Sequence, residues 1–277
     1  MIHGPSGYNA PVTGPESSPH VAALWLYPVK SCRGAPVEFL DLGPLGPEGD
    51  RRFMIVDREG RFLSQRSHPR MTLIRATPRP EGGVRLAWEE ETVEVPFPMA
   101  GALRTVEIWR DRVEALDCGD AVASWLHARL GVPCRLVAFP PGGRRLRPDG
   151  RPRSTAFADA EAVLVTGEAS LAEINASLAR PVPMERFRPN LVVAGAAPWA
   201  EDGWKRLEIG RAVLELTRPC ARCAIVAVDP GTGTRDTAPL RALGELRRRD
   251  GEVWFGQNAR VLAPGRVRLG DPVRVLE

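Results

Sequence analysis

Apolar residues between residue 21 and about residue 116 occur in short runs that turn residues separate. The runs are AALWLYPV, PVEFLDL, RRFMIVD, TLIRATP, GVRLAWE, TVEVPF, TVEIW and RVEAL. Some of them alternate, as in Val84, Leu86 and Trp88, and this period of two places one face of a strand in a core. We identify no helix in this part of the sequence. The pattern predicts a small β-barrel or sandwich domain over residues 21–118.

The spacing of the apolar residues changes at Gly119. From there they recur at the spacing of a helix, with Asp120 as the candidate N-cap and Gly131 just past the end. A second helix is predicted at EASLAEINASL (168–178), which a strand, AVLVTG, precedes. A domain boundary is therefore expected close to residue 119.

Short apolar runs also continue around these helices. They are CRLVAF, AVLVTG, LVVAG, WKRLEIG, AVLELTR, AIVAVD, FGQNARVL and RVRLGDPVRVL. A third helix begins after its candidate cap Thr237, with Leu240, Leu243 and Leu246 facing inward. Residues 119–277 are thus expected to form a β-barrel with a few peripheral helices. The predicted fold class is mainly β, of the α+β type, with the N-terminal β domain packed on the C-terminal barrel.

Length and composition fit one large or two moderate soluble domains. The 277 residues are 43% hydrophobic and 26% charged, close to the average of soluble globular proteins. Residues 1–20 lack the basic start and apolar run of a signal peptide and are expected to form a flexible tail. The sequence contains no uncharged apolar stretch long enough for a membrane-spanning helix. Because the five cysteines come without an export signal, we expect reduced thiols in the cytoplasm.

The positive charge is concentrated in one segment. Residues 140–156 carry five arginines against Asp149, a net charge equal to the +4 of the whole chain. The remainder is therefore neutral, which argues against a basic nucleic-acid-binding face. Of the 38 basic residues only Lys30 and Lys205 are lysines. Arginine suits the recognition of carboxylate and phosphate groups.

The strongest local motif is RPCARCAIVAVD (218–229), in which Cys220 and Cys223 lie beside Arg218 and Arg222. Neighbouring arginines favour the thiolate, the form that binds soft metals. Structural zinc would need two more ligands, but there is no second CxxC motif and the four histidines are scattered. A thioredoxin-like dithiol is expected where a strand opens into a helix, whereas this motif runs into a predicted strand. Two buried cysteines, or a thiolate ligand for a metal cofactor held mainly by other groups, remain as interpretations.

Three further stretches place polar residues beside predicted strands. YPVKSC (27–32) contains Lys30, a compact cation followed by a hydroxyl, a combination that suits an anion. The DRR turn at 50–52 is followed by Arg66, and MERFRPNLVV (184–193) places two arginines and an asparagine ahead of an apolar run. Each stretch alone is weak evidence, because arginine is frequent throughout the chain.

Together these stretches resemble one known family. The sequence resembles the MOSC superfamily in its two-part form, in which an N-terminal MOSC β-barrel domain precedes the MOSC domain, as in amidoxime-reducing enzymes and bacterial reductases of N-hydroxylated compounds. The motifs are LWLYPVKSC, DRRFMIVDREG with LSQRSHPRMTLI, LVTGEASLAEIN, ERFRPNLVV, RPCARCAIVAVDPGTG, FGQNARVL and GDPVRVL. The resemblance covers about residues 21–277 and depends on their joint occurrence.

The resemblance implies a molybdenum cofactor and a set of residues that hold it. Cys223 would be the metal ligand, with Cys220 as a neighbour. The pterin and its phosphate would be bound by cationic and polar residues, namely Lys30, Ser31, Arg51, Arg66, Arg188, Asn190 and Arg222. Asp229 matches an acidic residue of the family and is assigned to the catalytic site in a supporting role.

The activity that the resemblance implies is reduction of amidoximes, hydroxylamines and N-hydroxylated base analogues. We expect no flavin, haem or iron–sulfur cluster within the chain, because no GxGxxG motif opens a helix and no further cysteine cluster occurs. Electrons would come from a separate ferredoxin, flavoprotein or haem protein, which the basic segment at 144–153 could contact.

Two alternatives belong to other functional classes. In the first, Cys223 carries a persulfide for delivery to another metal centre. In the second, the chain only stores or presents the cofactor. Turnover with an artificial electron donor would distinguish an enzyme from both.

Overall fold

The structure is a computed structural model that describes residues 18–99 and 101–276. Most of the predicted N-terminal tail, residues 1–17, lies outside the described residues, whereas His20 already opens the first strand. None of the described helices has the length and apolar character that a membrane crossing requires.

Strands dominate the described residues, and three α-helices accompany them. The strands are β1 His20–Leu26, β2 Ala35–Pro36, β3 Phe39–Gly43, β4 Gly46–Pro47, β5 Phe53–Val56, β6 Arg75–Pro78, β7 Val84–Trp88, β8 Glu91–Val95, β9 Leu103–Ile108, β10 Asp111–Asp117, β11 Arg135–Ala138, β12 Val163–Gly167, β13 Leu191–Ala194, β14 Arg206–Ile209, β15 Ala212–Ala221, β16 Arg248–Arg249, β17 Glu252–Ala263, β18 Gly265–Arg268 and β19 Val273–Leu276. The α-helices are α1 Asp120–Leu130, α2 Glu168–Ala176 and α3 Ala238–Arg247, and 3-10 turns occur at Pro69–Leu73, Met184–Phe187, Ala200–Asp202 and Ala224–Ala227. The prediction of a mainly β fold with few helices is confirmed.

The largest sheet joins the start of the chain to its C-terminal half. Its strand order is β19-β14-β15-β17-β12-β13-β1-β2, with β16 paired to β17. All pairs on this path are antiparallel except β12 with β13. The core beneath it contains alternating residues such as Leu207, Ile209 and Leu214, none of which is exposed. Because β1 pairs with β13, the loop after β1 lies beside the loop that precedes β13.

Three smaller sheets complete the fold. Their orders are β5-β11-β10-β9, β18-β3-β4 and β6-β7-β8. Helix α1 packs through Val122 and Leu126 into a core that also contains Phe53. Since β11 pairs with β5, residues on both sides of position 119 share this core. The domain limits at 118 and 119 stay a prediction.

Two details of the helices differ from the prediction. Helix α1 has Gly119 at its N-cap, and Asp120 is its first residue and forms no capping hydrogen bond. In α3, Leu246 is 43% exposed, whereas Leu243 is buried. Arg247 takes the inward position instead, because its guanidinium packs over the ring of Trp199 at 4.3 Å. Gly131 follows the end of α1 as predicted, and its backbone is in the left-handed conformation.

The connection that carries the CxxC motif also differs from the prediction. Strand β15 continues to Ala221, and Ala224–Ala227 forms a 3-10 turn rather than the strand that the run AIVAVD predicted. The turn is closed by the Val226 and Val228 amides, which donate to the carbonyls of Cys223 and Ile225. Cys223 therefore stands at the N-terminal end of a tight turn, where its backbone is fixed.

The arginine-rich segment is only partly a charged surface, although its sequence suggested a basic loop that could contact a redox partner. The side chain of Arg145 is fully buried, and its Nε donates to Asp111 over 2.8 Å. Arg153 donates to the same carboxylate over 2.7 Å. The Nη1 of Arg145 also donates to the carbonyls of Ala156 and Ala158. These contacts anchor the segment to β10 and fix the chain that leads to residue 159.

Candidate active site

One pocket of about 330 Å³ contains every residue that the sequence assigned to cofactor binding. It lies between the loop after β1, the turn before β5, the segment before β12, the loop before β13 and the end of β15. The assigned residues that line it are Lys30, Ser31, Arg51, Arg66, Arg188, Asn190, Arg222 and Cys223. The structure brings these side chains together, and their role in holding a cofactor stays a prediction.

Lys30 supplies a buried cation to this pocket. Its side chain is 4% exposed, and its Nζ donates to the Phe157 carbonyl over 2.9 Å and to the carboxylate of Asp159. Burial lowers the pKa of Lys30 to about 8, although the neighbouring Asp159 opposes the shift. Removal of water would raise the pKa of Asp159, but the charge and hydrogen bond of Lys30 hold it well below its usual range. At neutral pH the two groups therefore form a charged pair.

Two more cations pack on one aromatic ring. The guanidinium carbons of Arg51 and Arg188 lie 4.3 Å and 4.4 Å from the ring centroid of Tyr27, which is completely buried. Gly34 permits this packing, because a Cβ there would lie 2.4 Å from Cδ1 of the tyrosine. Burial lowers the pKa of Arg188, and the charge of Arg51 lowers it further. Two like charges in so small a space favour the binding of an anion.

Hydrogen bonds hold these arginines in place. The Nη1 of Arg51 donates to Asp50 over 2.5 Å and to the Oδ1 of Asn190 over 3.2 Å. Asn190 in turn donates to Asp50 over 3.1 Å and to the Trp25 carbonyl over 3.2 Å. Arg188 donates from Nη1 to a backbone carbonyl in the loop after β1, over 2.7 Å. Asn190 thus connects the two loops and orients Arg51.

The backbone around the pocket takes an unusual conformation. Ser31, Arg51 and Arg188 have φ angles of 64°, 45° and 59°, in the left-handed region that residues other than glycine seldom occupy. Each such residue costs on the order of 1–3 kcal/mol and persists where the surroundings enforce it. Three of them line the same pocket, so the fold holds this backbone in a fixed shape.

The two cysteines of the motif have different arginine partners. Arg66 donates from Nη2 to the Sγ of Cys223 over 3.3 Å. Arg222 donates from Nη1 to the Sγ of Cys220 over 3.1 Å and from Nη2 to the Phe187 carbonyl over 2.7 Å. Both sulfurs line the pocket. A guanidinium donor suits a sulfur that carries negative charge, and this is the form that binds a metal.

Asp229 lies outside the lining of the pocket. Its Oδ2 accepts from Arg186 over 2.8 Å, and its Oδ1 accepts from the amides of Gly231 and Thr232 over 2.9 Å each. Arg186 also donates to the Val226 carbonyl over 3.2 Å, inside the turn that follows Cys223. Any influence of Asp229 on the pocket would pass through this arginine, and its assignment to the catalytic site stays a prediction.

Several lining residues were not identified from the sequence. Asp159, Glu161, Trp254 and Asn258 all line the pocket. The sequence offered one signal for Asp159, its position shortly before a predicted strand, and Asp50 shares that signal. Trp254 and Asn258 share strand β17, and only the second lies within a motif that the sequence analysis used. Long-range pairing, not local pattern, brings these residues to the site.

The residues of the pocket fit a molybdenum cofactor bound through a pterin phosphate. The Nε of Arg222 is buried and has no hydrogen-bond partner among the described residues, so a donor is left free beside the pocket. The pocket also places two cysteine sulfurs, those of Cys220 and Cys223, near several cations. A thiolate is the soft ligand that such a metal prefers, and arginine and lysine side chains neutralise a phosphate.

Comparison with known proteins gives the family. Residues 18–133 match the MOSC N-terminal beta barrel domain, and residues 152–274 match the MOSC domain. Mitochondrial amidoxime-reducing component 1 of Homo sapiens is 34% identical over 92% of this chain and 82% of its own length. Molybdenum cofactor sulfurase of Danio rerio is 33% identical over 87% of this chain, which spans 32% of that protein. Among solved structures, the YUAD protein of Bacillus subtilis aligns over 92% of this chain and 94% of that chain, with a TM-score of 0.45 and 14% identity.

The order of the two matched domains agrees with the order of the motifs in the sequence. The first match contains the loop with Lys30, and the second contains the motif with Cys223. Both contribute to the one pocket. With both domains matched in sequence and a 34% identical relative covered over 82% of its length, the chain belongs to the MOSC family in its two-domain form.

Proposed function

We propose that the protein is a molybdenum-cofactor-dependent reductase of N-hydroxylated small molecules that receives electrons from a separate redox protein. The net reaction is R–NHOH + 2 electrons + 2 protons giving R–NH2 + H2O. The observation that carries the proposal is the contact of Arg66 with the Cys223 sulfur, in a pocket that also contains the buried Lys30 cation and the Arg51 and Arg188 pair. Relatives named amidoxime-reducing component support the same assignment.

Each part of the pocket has a role under this proposal. The cofactor, when bound, supplies the two-electron redox centre. Cys223 provides the thiolate ligand, and Arg66 orients its sulfur. Arg51 and Arg188 bind the phosphate of the pterin, and Lys30 adds a third charge. Since the family's cofactor is an anion, the surplus of cations in the pocket is the expected complement.

The first test is the molybdenum content of the purified protein. Wild type, Cys223→Ala and Cys220→Ala are expressed side by side in a host that makes the cofactor and is supplied with molybdate. We expect near-stoichiometric metal in wild type and Cys220→Ala, and a sharp loss in Cys223→Ala. Cys220 is the matched control because it lines the same pocket three residues away. Equal metal in all three proteins would remove Cys223 as the ligand.

The second test is turnover of benzamidoxime with reduced methyl viologen as the electron donor. Formation of benzamidine by wild type, and its loss in Cys223→Ala, would establish the reductase. Bound metal without turnover on a panel of amidoximes, hydroxylamines and N-hydroxylated bases would contradict it.

A second candidate is a carrier of sulfur or of the cofactor. The similarity to molybdenum cofactor sulfurase of Danio rerio supports this candidate, because that protein is named for the handling of the cofactor. A persulfide on Cys223 that forms and transfers in the absence of molybdenum would favour the sulfur carrier. Cytoplasmic localisation also stays a prediction, and several curated relatives are named as mitochondrial.

A further inference from the structure

An exposed tryptophan lies beside the pocket, at the turn between β9 and β10. Trp109 is 49% exposed, and its φ angle of 58° places it in the left-handed region. A bulky aromatic residue in this conformation is a strained arrangement, and such strain is concentrated at functional sites. The ring packs edge to face on Phe62, with 5.2 Å between centroids. One side of the tryptophan is thus fixed by the protein, and the other side faces solvent.

Trp109 is connected to the sulfur of Cys223 through Arg66. Its Nε1 donates to Asp159 over 3.0 Å, and the guanidinium of Arg66 lies 4.7 Å from its ring centroid. Arg66 donates to the Cys223 sulfur over 3.3 Å. Trp109 itself is absent from the lining of the pocket. It therefore presents an outer face of the site and leaves the pocket free for a small molecule.

Exposed cations and one exposed leucine lie on the hairpin of the tryptophan and on the segment paired with it. Arg110 follows it, and Arg112 exchanges two backbone hydrogen bonds with Leu146, which is 40% exposed. Arg144 lies two residues before Leu146 and is also exposed. In the part of the chain that the structure describes, no hydrogen bond or ion pair involves the side chains of these three arginines. We call Trp109, Arg110, Arg112, Arg144 and Leu146 the Trp109 surface.

The balance of charge on this surface is positive. Glu107 is opposite Arg112 across the strands and offsets one cation. Asp149 pairs with Arg151, and Asp159 pairs with Lys30. Glu114, two residues after Arg112 on the same strand, accepts from the Thr105 hydroxyl and has no ion-pair partner among the described residues. Three arginines against these two carboxylates leave a net positive charge beside an apolar centre. This is the arrangement by which transient partners of opposite charge are attracted and oriented.

We infer that the Trp109 surface binds the electron donor and that the donor is an acidic one-electron carrier protein. The inference depends on the proposed reductase activity, because such an enzyme must be supplied with two electrons from outside the chain. A partner bound on this surface would lie next to Arg66 and Asp159. Arg66 in turn contacts the sulfur of Cys223, the proposed metal ligand. Binding there leaves the pocket open for the N-hydroxylated substrate.

The test uses a plant-type [2Fe–2S] ferredoxin as an acidic donor. The double variant Arg110→Glu and Arg112→Glu is compared with wild type and with Arg211→Glu. Arg211 is an exposed arginine at the opposite end of β15 from the site, about 30 Å away for a strand of ten residues. The readouts are kcat/KM for reduced ferredoxin with benzamidoxime as substrate, and the Kd for oxidised ferredoxin, which needs no turnover.

We expect the double variant to reduce kcat/KM for ferredoxin about tenfold at an ionic strength of about 20 mM, and the difference to vanish at about 0.5 M. Its Kd should rise in parallel. Turnover with reduced methyl viologen should not decrease, because viologen is itself a cation that the lost arginines would repel. Arg211→Glu should match wild type in every assay.

Equal ferredoxin kinetics and Kd in the double variant and in Arg211→Glu would overturn the inference. Loss of binding to phosphatidylserine vesicles with unchanged ferredoxin Kd would assign the surface to a membrane and would also overturn it. Absence of viologen turnover in wild type would contradict the proposed activity instead, and the Kd comparison would still decide whether the surface binds an acidic carrier.

Discussion

The affinity of the pocket for an anion should fall as the pH rises above 8, because Lys30 then loses its charge. Burial lowers the pKa of Lys30 from 10.5 to about 8. An anion bound beside the ammonium favours its charged form and raises this pKa again. By linkage, the protonated pocket binds more tightly, so the dissociation constant increases with pH between the two pKa values. Sulfate is a suitable probe because its charge does not change in this range.

The size of the effect follows from the shift. When the pKa of Lys30 returns to its ordinary value in the complex, the Kd for sulfate at pH 9.5 should be about 30-fold higher than at pH 7, or about 2 kcal/mol. The other cations of the pocket are arginines, which stay charged. Burial raises the pKa of Tyr27, so its hydroxyl stays neutral as well. The pocket also contains Cys220 and Cys223. Because Lys30→Arg keeps both cysteines, a pH dependence that is present in wild type and absent from this variant comes from Lys30.

Calorimetric titration of the cofactor-free protein with sulfate, at constant ionic strength and several pH values, measures this dependence. Lys30→Arg keeps the charge and should bind with nearly the same Kd at pH 7 and pH 9.5. Lys30→Met should bind weakly at both. A wild-type Kd that does not change with pH, or an equal change in Lys30→Arg, would refute the reasoning.

Three further predictions concern stability. Arg145→Met removes the buried cation that pairs with Asp111 and should lower the free energy of unfolding by about 3–5 kcal/mol. The measurement is a reduced urea midpoint with an unchanged m value. An unaltered midpoint would show that this contact is dispensable. Gly34→Ala places a Cβ 2.4 Å from the ring of Tyr27. It should lower the free energy of unfolding by about 1–3 kcal/mol and weaken sulfate binding. Normal sulfate affinity in this variant would contradict the role of the ring. Burial opposes ionisation of Asp117, but its arginine partners lower its pKa to about 2. The ionised carboxylate therefore adds about 2 kcal/mol to the free energy of unfolding above pH 4, and this stability is lost as the pH falls through about 2. The acid unfolding curve of Asp117→Asn should lack this contribution, and identical curves for the two proteins would exclude it.

Local pattern was sufficient to predict a mainly β fold, and the motifs taken together identified the cationic residues and the cysteines of the pocket but not most of its other lining residues. The alternation in β7 and the helical spacing in α1 correspond to buried faces in the structure. The motifs around Lys30, Arg188 and Cys223 each lie where a strand of the large sheet begins or ends. Because β1 and β13 are neighbours in that sheet, the loops with Lys30 and Arg188 meet. Strand β15, which precedes Cys223, is three strands away from β13, and only the folded sheet brings its end to the same pocket.

Pairing over long distances in the sequence was not predictable in the same way. Lys30 and Asp159 are 129 residues apart, and no spacing rule connects them. The buried Arg145 could not be distinguished from its exposed neighbours, because a count of charges does not say which are paired. Leu246 was assigned inward by spacing, but the buried Arg247 takes that place. Because Arg247 packs both its aliphatic part and its guanidinium inward against Trp199, the apolar and polar residues of this helix do not divide into separate faces.

The left-handed backbone at Ser31, Arg51 and Arg188 has a consequence for how this protein can change. Glycine at any of these positions would relieve the local strain of about 1 kcal/mol or more. It would also remove a side chain from the pocket and give the backbone more freedom before a ligand arrives. At Ser31 a more stable fold and a better-defined anion site are therefore opposing goals, whereas glycine at Arg51 would also leave the buried Asp50 without its cation. Variants selected only for heat resistance should therefore accumulate changes at Ser31 and lose affinity as they do so.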